Sequence, residues 1–318
     1  MNSSQISLKV KHYCHLNDCT FKLSFIIISK GNKVSSLIIR SPLLTNFKRY
    51  SLKIMDVQLK GKLALITGGS VGIGLAVAKA LAKEGVNLIL CARDNDRLGK
   101  VCNDIQSEFG IDVMAIAADV SKSDDIDNII EKVKSGYDGI DILINNAGTG
   151  SEENIINAPD EKWQYYWDLH VMAAIRLSRA AIPLMQKKGG GVILNNASIC
   201  AKQPLGYEPI YNTTKAALSM FSKCLANEAI PYNIRVNTVN PGLILTPDWK
   251  KTASALGDQE GLTADEYLDR LAKEHTPIGR FGTPEELAHF FVFLCSPLAS
   301  YSVGSTYYVD GGWLNVVE

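Results

Sequence analysis

Long apolar runs are what this chain most plainly lacks. Its unbroken hydrophobic stretches fall far short of the ~18–20 residues a bilayer-spanning helix needs, so no membrane span is expected. An excess of basic charge is missing from most of it too. Formal charge is zero overall, yet residues 1–54 hold nine Lys/Arg against one acid, Asp18, leaving 24 basic and 32 acidic side chains for the rest. A mildly acidic body offers no clustered basic face, so nucleic acid is not an expected partner. Nor is there a disulfide framework. Seven cysteines, an odd number, are scattered at 14, 19, 91, 102, 200, 224 and 295. In a chain long enough to bury a core they read as free thiols in a reducing compartment, and a cytoplasmic location is expected.

The first 54 residues differ in character from the rest of the chain. They are rich in Ser, Lys, Asn and Ile, lack a sustained period and break at Gly31 and Pro42. Three readings compete. A transit peptide would be Ser-rich and acid-poor, but lysine here outnumbers arginine seven to two, against type. A secretory signal would need an apolar core that no charge interrupts. The third reading is a dispensable, disordered extension, with Met55 standing where a compact version of the chain could start. His12, Cys14, His15 and Cys19 have no second ligand pair at zinc-finger spacing, so no metal is expected there.

From Leu59 onward apolar runs alternate with helical patterns. Segments 63–67, 87–91, 113–117, 140–145, 192–196, 234–239 and 306–309 read as buried strands, and 75–84, 97–109 and 163–185 as amphipathic helices. Within the last, Trp163, Trp167 and His170 or Val171 recur at helical spacing and are expected on a buried face. Strands apolar along their whole length, alternating with helices, predict an α/β domain. Its doubly wound, Rossmann-type parallel sheet of about seven strands would bind ligands beyond the carboxyl ends of the strands. One domain, 55–318, is expected.

The first of these strands runs into Thr67-Gly68-Gly69-Ser70-Val71-Gly72-Ile73-Gly74, and a helix comes next. Glycines there let the backbone turn tightly against a pyrophosphate, and a helix N-terminus presents free N–H groups to it. Further on, Tyr211 and Lys215 stand four apart at the start of a predicted helix, which sets phenol and ammonium on one face. Among 12 tyrosines one such pair could arise by chance. Ser198, 13 residues earlier at the end of the 192–196 strand, makes the set chemical. Its hydroxyl can bond a substrate oxygen while Tyr211 transfers a proton.

With these motifs the chain from about Lys60 to Trp313 resembles the short-chain dehydrogenase/reductase family, in its branch of compact single domains. Gly68, Ser70, Gly72, Ile73 and Gly74 match the family's phosphate loop. Asp119-Val120 matches the pair that meets the adenine. Asn145-Asn146-Ala147-Gly148 matches the stretch that supports the central strand and touches the adenine ribose. Pro241-Gly242-Leu243-Ile244-Leu245-Thr246 matches the grip on the nicotinamide carboxamide. Gly279–Glu286 and Val309-Asp310-Gly311-Gly312 are equally typical. There are two departures. His170, in Trp167-Asp168-Leu169-His170-Val171, stands where the family's fourth catalytic residue is usually Asn, and Ala197 stands where a serine usually precedes Ser198. The resemblance covers none of the leader.

What the resemblance implies is an NAD(P)(H)-dependent oxidoreductase interconverting a ketone or aldehyde and an alcohol. Ser198 would hold the oxygen and Tyr211 would be the general acid/base. Lys215 would bond the nicotinamide ribose and lower the Tyr211 pKa, and His170 would serve the proton relay. NADP(H) is expected over NAD(H), which stays possible. The slot where NAD-selective relatives carry an acid is Ala92, and Arg93 comes next to meet a 2′-phosphate. The expected partners are a small carbonyl or alcohol substrate and, by resemblance, further copies in a dimer or tetramer. Two rival functions stay open: reduction of 3-oxoacyl groups on a carrier protein, and a non-catalytic nucleotide sensor, which would typically lack the Tyr or the Lys. A flexible lid is expected over 247–275, offering Trp249, Leu256, Tyr267 and Leu271 to a ligand, with Cys200, Gln203 and Tyr207 on the opposite wall.

Overall fold

A computed structural model describes residues 55–151 and 153–316, together with the backbone of 10–16, 19–30, 33–40 and 49–50. Two units emerge, Met1–Asp56 and Val57–Glu318. In the first, β1 (Val10–Leu16), β2 (Cys19–Lys30), β3 (Lys33–Arg40) and β4 (Arg49–Tyr50) pair antiparallel in that order. The sequence reading assigned no element there. The signal it passed over is two β-branched runs separated by Gly31-Asn32, a dipeptide that favours hairpins. The side chains of the His12–Cys19 cluster lie outside the described residues.

The second unit holds a seven-stranded parallel sheet. Its strands are β5 (Leu63–Thr67), β6 (Asn87–Ala92), β7 (Val113–Ala117), β8 (Ile142–Asn145), β9 (Gly191–Asn196), β10 (Ile234–Pro241) and β11 (Thr306–Val309). They lie in the order β11-β10-β9-β8-β5-β6-β7. All seven expected strands are present. The fourth starts two residues late because Asp141 is used otherwise: its carboxylate accepts from Leu63 N and from Lys62 Nζ, both at 2.9 Å.

Alternation along the inner strands explains their continuous apolar pattern, whereas β7 and β11, expected as buried, lie at the sheet edges and are only partly buried. In β5, Ala64 and Ile66 face one helical layer, α1 (Gly72–Lys83), α2 (Asn95–Phe109) and α9 (Pro284–Cys295). Leu63 and Leu65 face the other, α3 (Ser123–Gly136), α5 (Ala173–Lys187) and α6 (Pro209–Ala229). A strand covered on both sides has no polar face to offer water. Each fully buried Leu or Ile contributes ~1.5–3 kcal/mol. The chain reverses direction across the sheet between β5 and β8, and there the loops at the ends of the two strands open a crevice.

Two expectations are corrected. The single helix expected over 163–185 is three pieces: α4 (Asp160–Trp167), a π-helical turn (Asp168–Met172) and α5. The extra residue in a π turn shifts the helical register. Trp167, expected on the buried face, is consequently exposed, while His170 and Val171 are buried. The lid region forms two helices, α7 (Pro247–Glu260) and α8 (Ala264–His275). Thr263 and Glu266 close a reciprocal capping box on α8, a local signal written in the sequence.

Candidate active site

At the carboxyl edge of the sheet two loops are bound together. Thr67 Oγ1 accepts from Asn146 N and Ala147 N, each at 3.0 Å, and Asn146 Nδ2 donates to Thr67 O at 2.9 Å. The glycines of the first loop serve distinct ends. Gly68 and Gly72 turn the chain with φ of 67° and 58°. A Cβ on Gly74 would lie 2.2 Å from Gly68 O, so only glycine lets α1 start this close to its own strand. Val71, the residue before α1, makes no side-chain cap, and no acid sits in the first turn. The first-turn N–H groups and the positive end of the helix dipole therefore face the crevice unopposed. Thr246, beyond β10, closes the far side: its Cγ2 would lie 3.5 Å from a Cβ on Gly72. Such a cradle fits the pyrophosphate of a dinucleotide.

Around it stand the other expected cofactor residues. Arg93 is exposed after β6, and the adjacent Asp94 is committed to α2, accepting from Arg97 N at 3.0 Å and pairing with the Arg97 guanidinium. The Asp119 carboxylate holds its own turn, accepting from Ser121 N and Oγ, and Val120 is buried. Gly148 passes between His170 and Lys215, where a Cβ would meet His170 Nε2 at 3.1 Å. Beyond β10, Gly242 N donates to Val309 O, Ile244 is buried in the core, and Thr246 caps α7. These contacts tie the Pro241–Thr246 segment to β11 and to the lid.

Ser198 leaves the end of β9 in extended backbone, its Oγ accepting from Cys200 N at 3.3 Å. Tyr211 and Lys215 share one face of α6, with Lys215 Nζ 5.4 Å from the Tyr211 ring centroid. The ammonium is buried and donates to Asn196 O at 2.8 Å. Burial lowers its pKa to about 8. Tyr211 is half-buried with its phenol enclosed. Burial raises that pKa, Cys200 and Glu208 add to the rise, and a hydrogen bond with Ser198 opposes it. The sequence expectation was a phenol pKa lowered by Lys215. The protein groups act the other way, because desolvation penalises the phenolate and the ammonium lies over the ring rather than on the oxygen. A phenol so held keeps its proton, which suits a donor.

His170 is 2% exposed, inside the π turn. Its Nδ1 lies 2.8 Å from Thr214 Oγ1, and Thr149 N donates to Nε2 at 3.3 Å. The ring stands edge-on to Tyr211, centroids 5.4 Å apart at 88°. Burial first, then the Lys215 charge, hold its pKa well below 6.5.

Glu208 escaped the sequence reading. It sits at the N-cap of α6 with φ 57°, ψ 51°, a left-handed conformation that costs a non-glycine residue of order 1–3 kcal/mol. Its charge adds to the rise that burial imposes on the pKa values of Tyr211, Tyr207 and Cys200. A Cβ on Gly150 would fall 2.2 Å from Oε1. An acid at a helix start before proline looks like an ordinary cap, so nothing in the sequence set it apart.

Of the expected pocket residues, Cys200 is buried beside Ser198, Tyr207 is exposed, and Tyr267 packs with Ala253 and Leu268. Burial, Glu208, Cys200 and Tyr267 together push the Tyr207 phenol up. Trp249 and Leu271 instead pack with Phe281 at the base of the helical pair, and Leu256 is exposed. Gln203 Oε1 accepts from Asn315 N in the C-terminal tail at 3.0 Å. Among the described residues no group of three His, Cys, Asp or Glu could hold a metal ion, and no helix is long and apolar enough to cross a membrane.

Comparison with known proteins gives the family. A family profile described as enoyl-(acyl carrier protein) reductase matches residues 68–314. L-Sorbose reductase from Gluconobacter frateurii, solved with NADPH and L-sorbose, is 58% identical. The match covers 83% of this chain and all of that one, with a TM-score of 0.82. The 3-oxoacyl-[acyl-carrier-protein] reductase of Aquifex aeolicus is 33% identical over 81% of this chain and 99% of its own. D-beta-hydroxybutyrate dehydrogenase of Cupriavidus necator is 34% identical over 80% and 99%. With its glycine loop and its Ser198, Tyr211 and Lys215 at one sheet edge, this chain belongs to the short-chain dehydrogenase/reductase family of oxidoreductases that interconvert carbonyls and alcohols.

Proposed function

We propose that the enzyme is an NADPH-preferring reductase of polyhydroxy ketones, and in reverse a dehydrogenase of the matching polyols. The observation that carries this is Glu208, at the start of α6 three residues before Tyr211 in a family site, its carboxylate against Gly150. A half-buried carboxylate offers nothing to an apolar acyl chain, whereas a substrate lined with hydroxyls can donate hydrogen bonds to it. The 58% likeness to a protein solved with L-sorbose points the same way. Arg93, exposed and in no ion pair among the described residues, supports NADPH, as does the neutral Ala92 where NAD-selective relatives carry an acid.

When bound, NADPH supplies a hydride to the carbonyl carbon. The chain's own residues do the rest. Ser198 Oγ donates a hydrogen bond to the carbonyl oxygen. Tyr211 Oη gives that oxygen its proton as the C–O bond becomes an alcohol. Lys215, anchored on Asn196 O, is the residue that would hold the nicotinamide ribose, and His170 braces the Tyr211 ring. With Tyr211 and Lys215 both present, a non-catalytic sensor is disfavoured.

Exposed apolar side chains on α6 (Met220) and near the C-terminus (Phe293, Leu298, Tyr301) support assembly into a homo-oligomer. The thiols buried in the core (Cys91, Cys102, Cys295) support a cytoplasmic location.

NADPH oxidation by the purified enzyme tests the reading against L-sorbose, a hydroxyl-free ketone of equal length and a 3-oxoacyl thioester. The ketose should be preferred by kcat/KM, NADPH should outperform NADH, and Glu208→Gln should cost the ketose roughly 10–100-fold with NADPH binding unchanged. Preference for the thioester would establish the carrier-protein alternative instead.

A further inference from the structure

His170 stands where relatives usually carry Asn, and its hydrogen bonds specify more than a position. Thr149 contributes a backbone N–H, which can only donate, so Nε2 of His170 must accept, at 3.3 Å. A neutral imidazole then carries its hydrogen on Nδ1. The hydroxyl of Thr214, 3.1 Å from the backbone O of Tyr211, then accepts from Nδ1 at 2.8 Å and gives its own hydrogen to that carbonyl. The opposite tautomer would set an Nε2 hydrogen against the Thr149 N–H, two donors facing inside the protein.

From this we propose that Thr214 is a positioning residue for the reaction: it locks His170 as the Nδ1–H tautomer and so aligns Tyr211. The bonds form one directed chain, Thr149 N–H to His170 Nε2, His170 Nδ1–H to Thr214 Oγ1, and Thr214 Oγ1–H to Tyr211 O. It joins the loop after β8, the π turn and the first turn of α6. Ser151 strengthens the same junction, its Oγ accepting from Tyr211 N at 3.3 Å. Thr214 and His170 are at most 2% exposed, so no solvent competes for these bonds. The ring so fixed stands perpendicular to the Tyr211 ring, centroids 5.4 Å apart, and limits the angles the phenol can take. An Asn at 170 offers an amide donor and acceptor but no ring to brace Tyr211. The titratable groups facing the imidazole are Lys215 and Tyr211 from α6 and Tyr166 from α4. With both ring nitrogens engaged and an ammonium nearby, His170 has no site for a second proton.

Neutron diffraction from deuterium-exchanged crystals of the full chain locates the ring hydrogens directly. Deuterium on Nδ1 and none on Nε2 is the expected result; deuterium on Nε2, or on both nitrogens, overturns the proposal. Kinetically, Thr214→Val should lower kcat roughly tenfold with little change in KM for NADPH, and Thr214→Ser, which keeps the hydroxyl, should restore it. Unchanged kcat in folded Thr214→Val refutes the alignment role. If Thr214→Val does not fold, failure of Thr214→Ser to sustain kcat refutes it as well. The kinetic arm rests on Tyr211 being the proton donor, whereas the tautomer is read without turnover, so the two can fail separately.

Discussion

At the scale of single residues, the site runs on side chains whose ionisation the protein has shifted against their habits. Lys215 is the clearest. Its folded pKa of about 8 lies below the ~10.4 of an unfolded chain, so the unfolded state binds more protons between these values. Stability contributed through Lys215 therefore rises as pH climbs from about 8 toward 10, with the penalty at its full value below 8. Activity takes the opposite course if, as proposed, the Lys215 ammonium holds the nicotinamide ribose. The kcat/KM for the carbonyl substrate should fall above about pH 8. His170, held well below 6.5, should add no inflection near pH 6–7. A profile that bends at pH 6–7 in the native enzyme and straightens in His170→Asn would contradict this reading.

Among the elements, the turn from β5 into α1 and the π turn before α5 matter most. Every backbone constraint of the first is met by a glycine. At Gly74 the reason is contact rather than conformation, since a Cβ there would sit 2.2 Å from a backbone oxygen that has little room to move. Gly74→Ala should destabilise the protein by about 1–3 kcal/mol, the usual cost of overpacking. It should also raise the Kd for NADPH far more than the KM for the ketone. Denaturant melts and cofactor titration by fluorescence separate the two; an unchanged Kd would show that the loop does not carry the pyrophosphate. The π turn adds one residue of rotation, turning Trp167 outward and His170 inward. Helical periodicity assumes an even 3.6 residues per turn and cannot register such an insertion.

For the whole molecule, the contacts divide the chain into Met1–Asp56 and Val57–Glu318, and every site residue belongs to the second. A chain beginning at Met55 should fold, melt within ~2 °C of the full chain and turn over at the same rate, because the seven-stranded sheet and both its cores are complete without the leader. Thermal melts and turnover numbers of the two chains check this. A drop of several degrees would mean that the antiparallel leader sheet stabilises the body.

By itself the sequence was sufficient for the parallel sheet and the glycine turn into α1, and it singled out Ser198, Tyr211 and Lys215, which the fold places at the ends of β9 and α6. Each of these is written locally, as an apolar run, a glycine spacing or a helical repeat, and the physics acts within a few neighbouring residues. What tertiary structure decided involves groups far apart in the chain. Tyr211 met a raised rather than a lowered pKa because Cys200, Glu208 and burial converge on it. Segment 247–275 became two helices, with Tyr267 packed on Ala253 and Trp249 turned to Phe281. Glu208 joined the site through an αL cap that only the fold could hold, and the His170 tautomer depends on Thr149, 21 residues away, and Thr214, 44 away. Local propensity acts along the chain, whereas desolvation and hydrogen-bond direction are properties of the space it encloses.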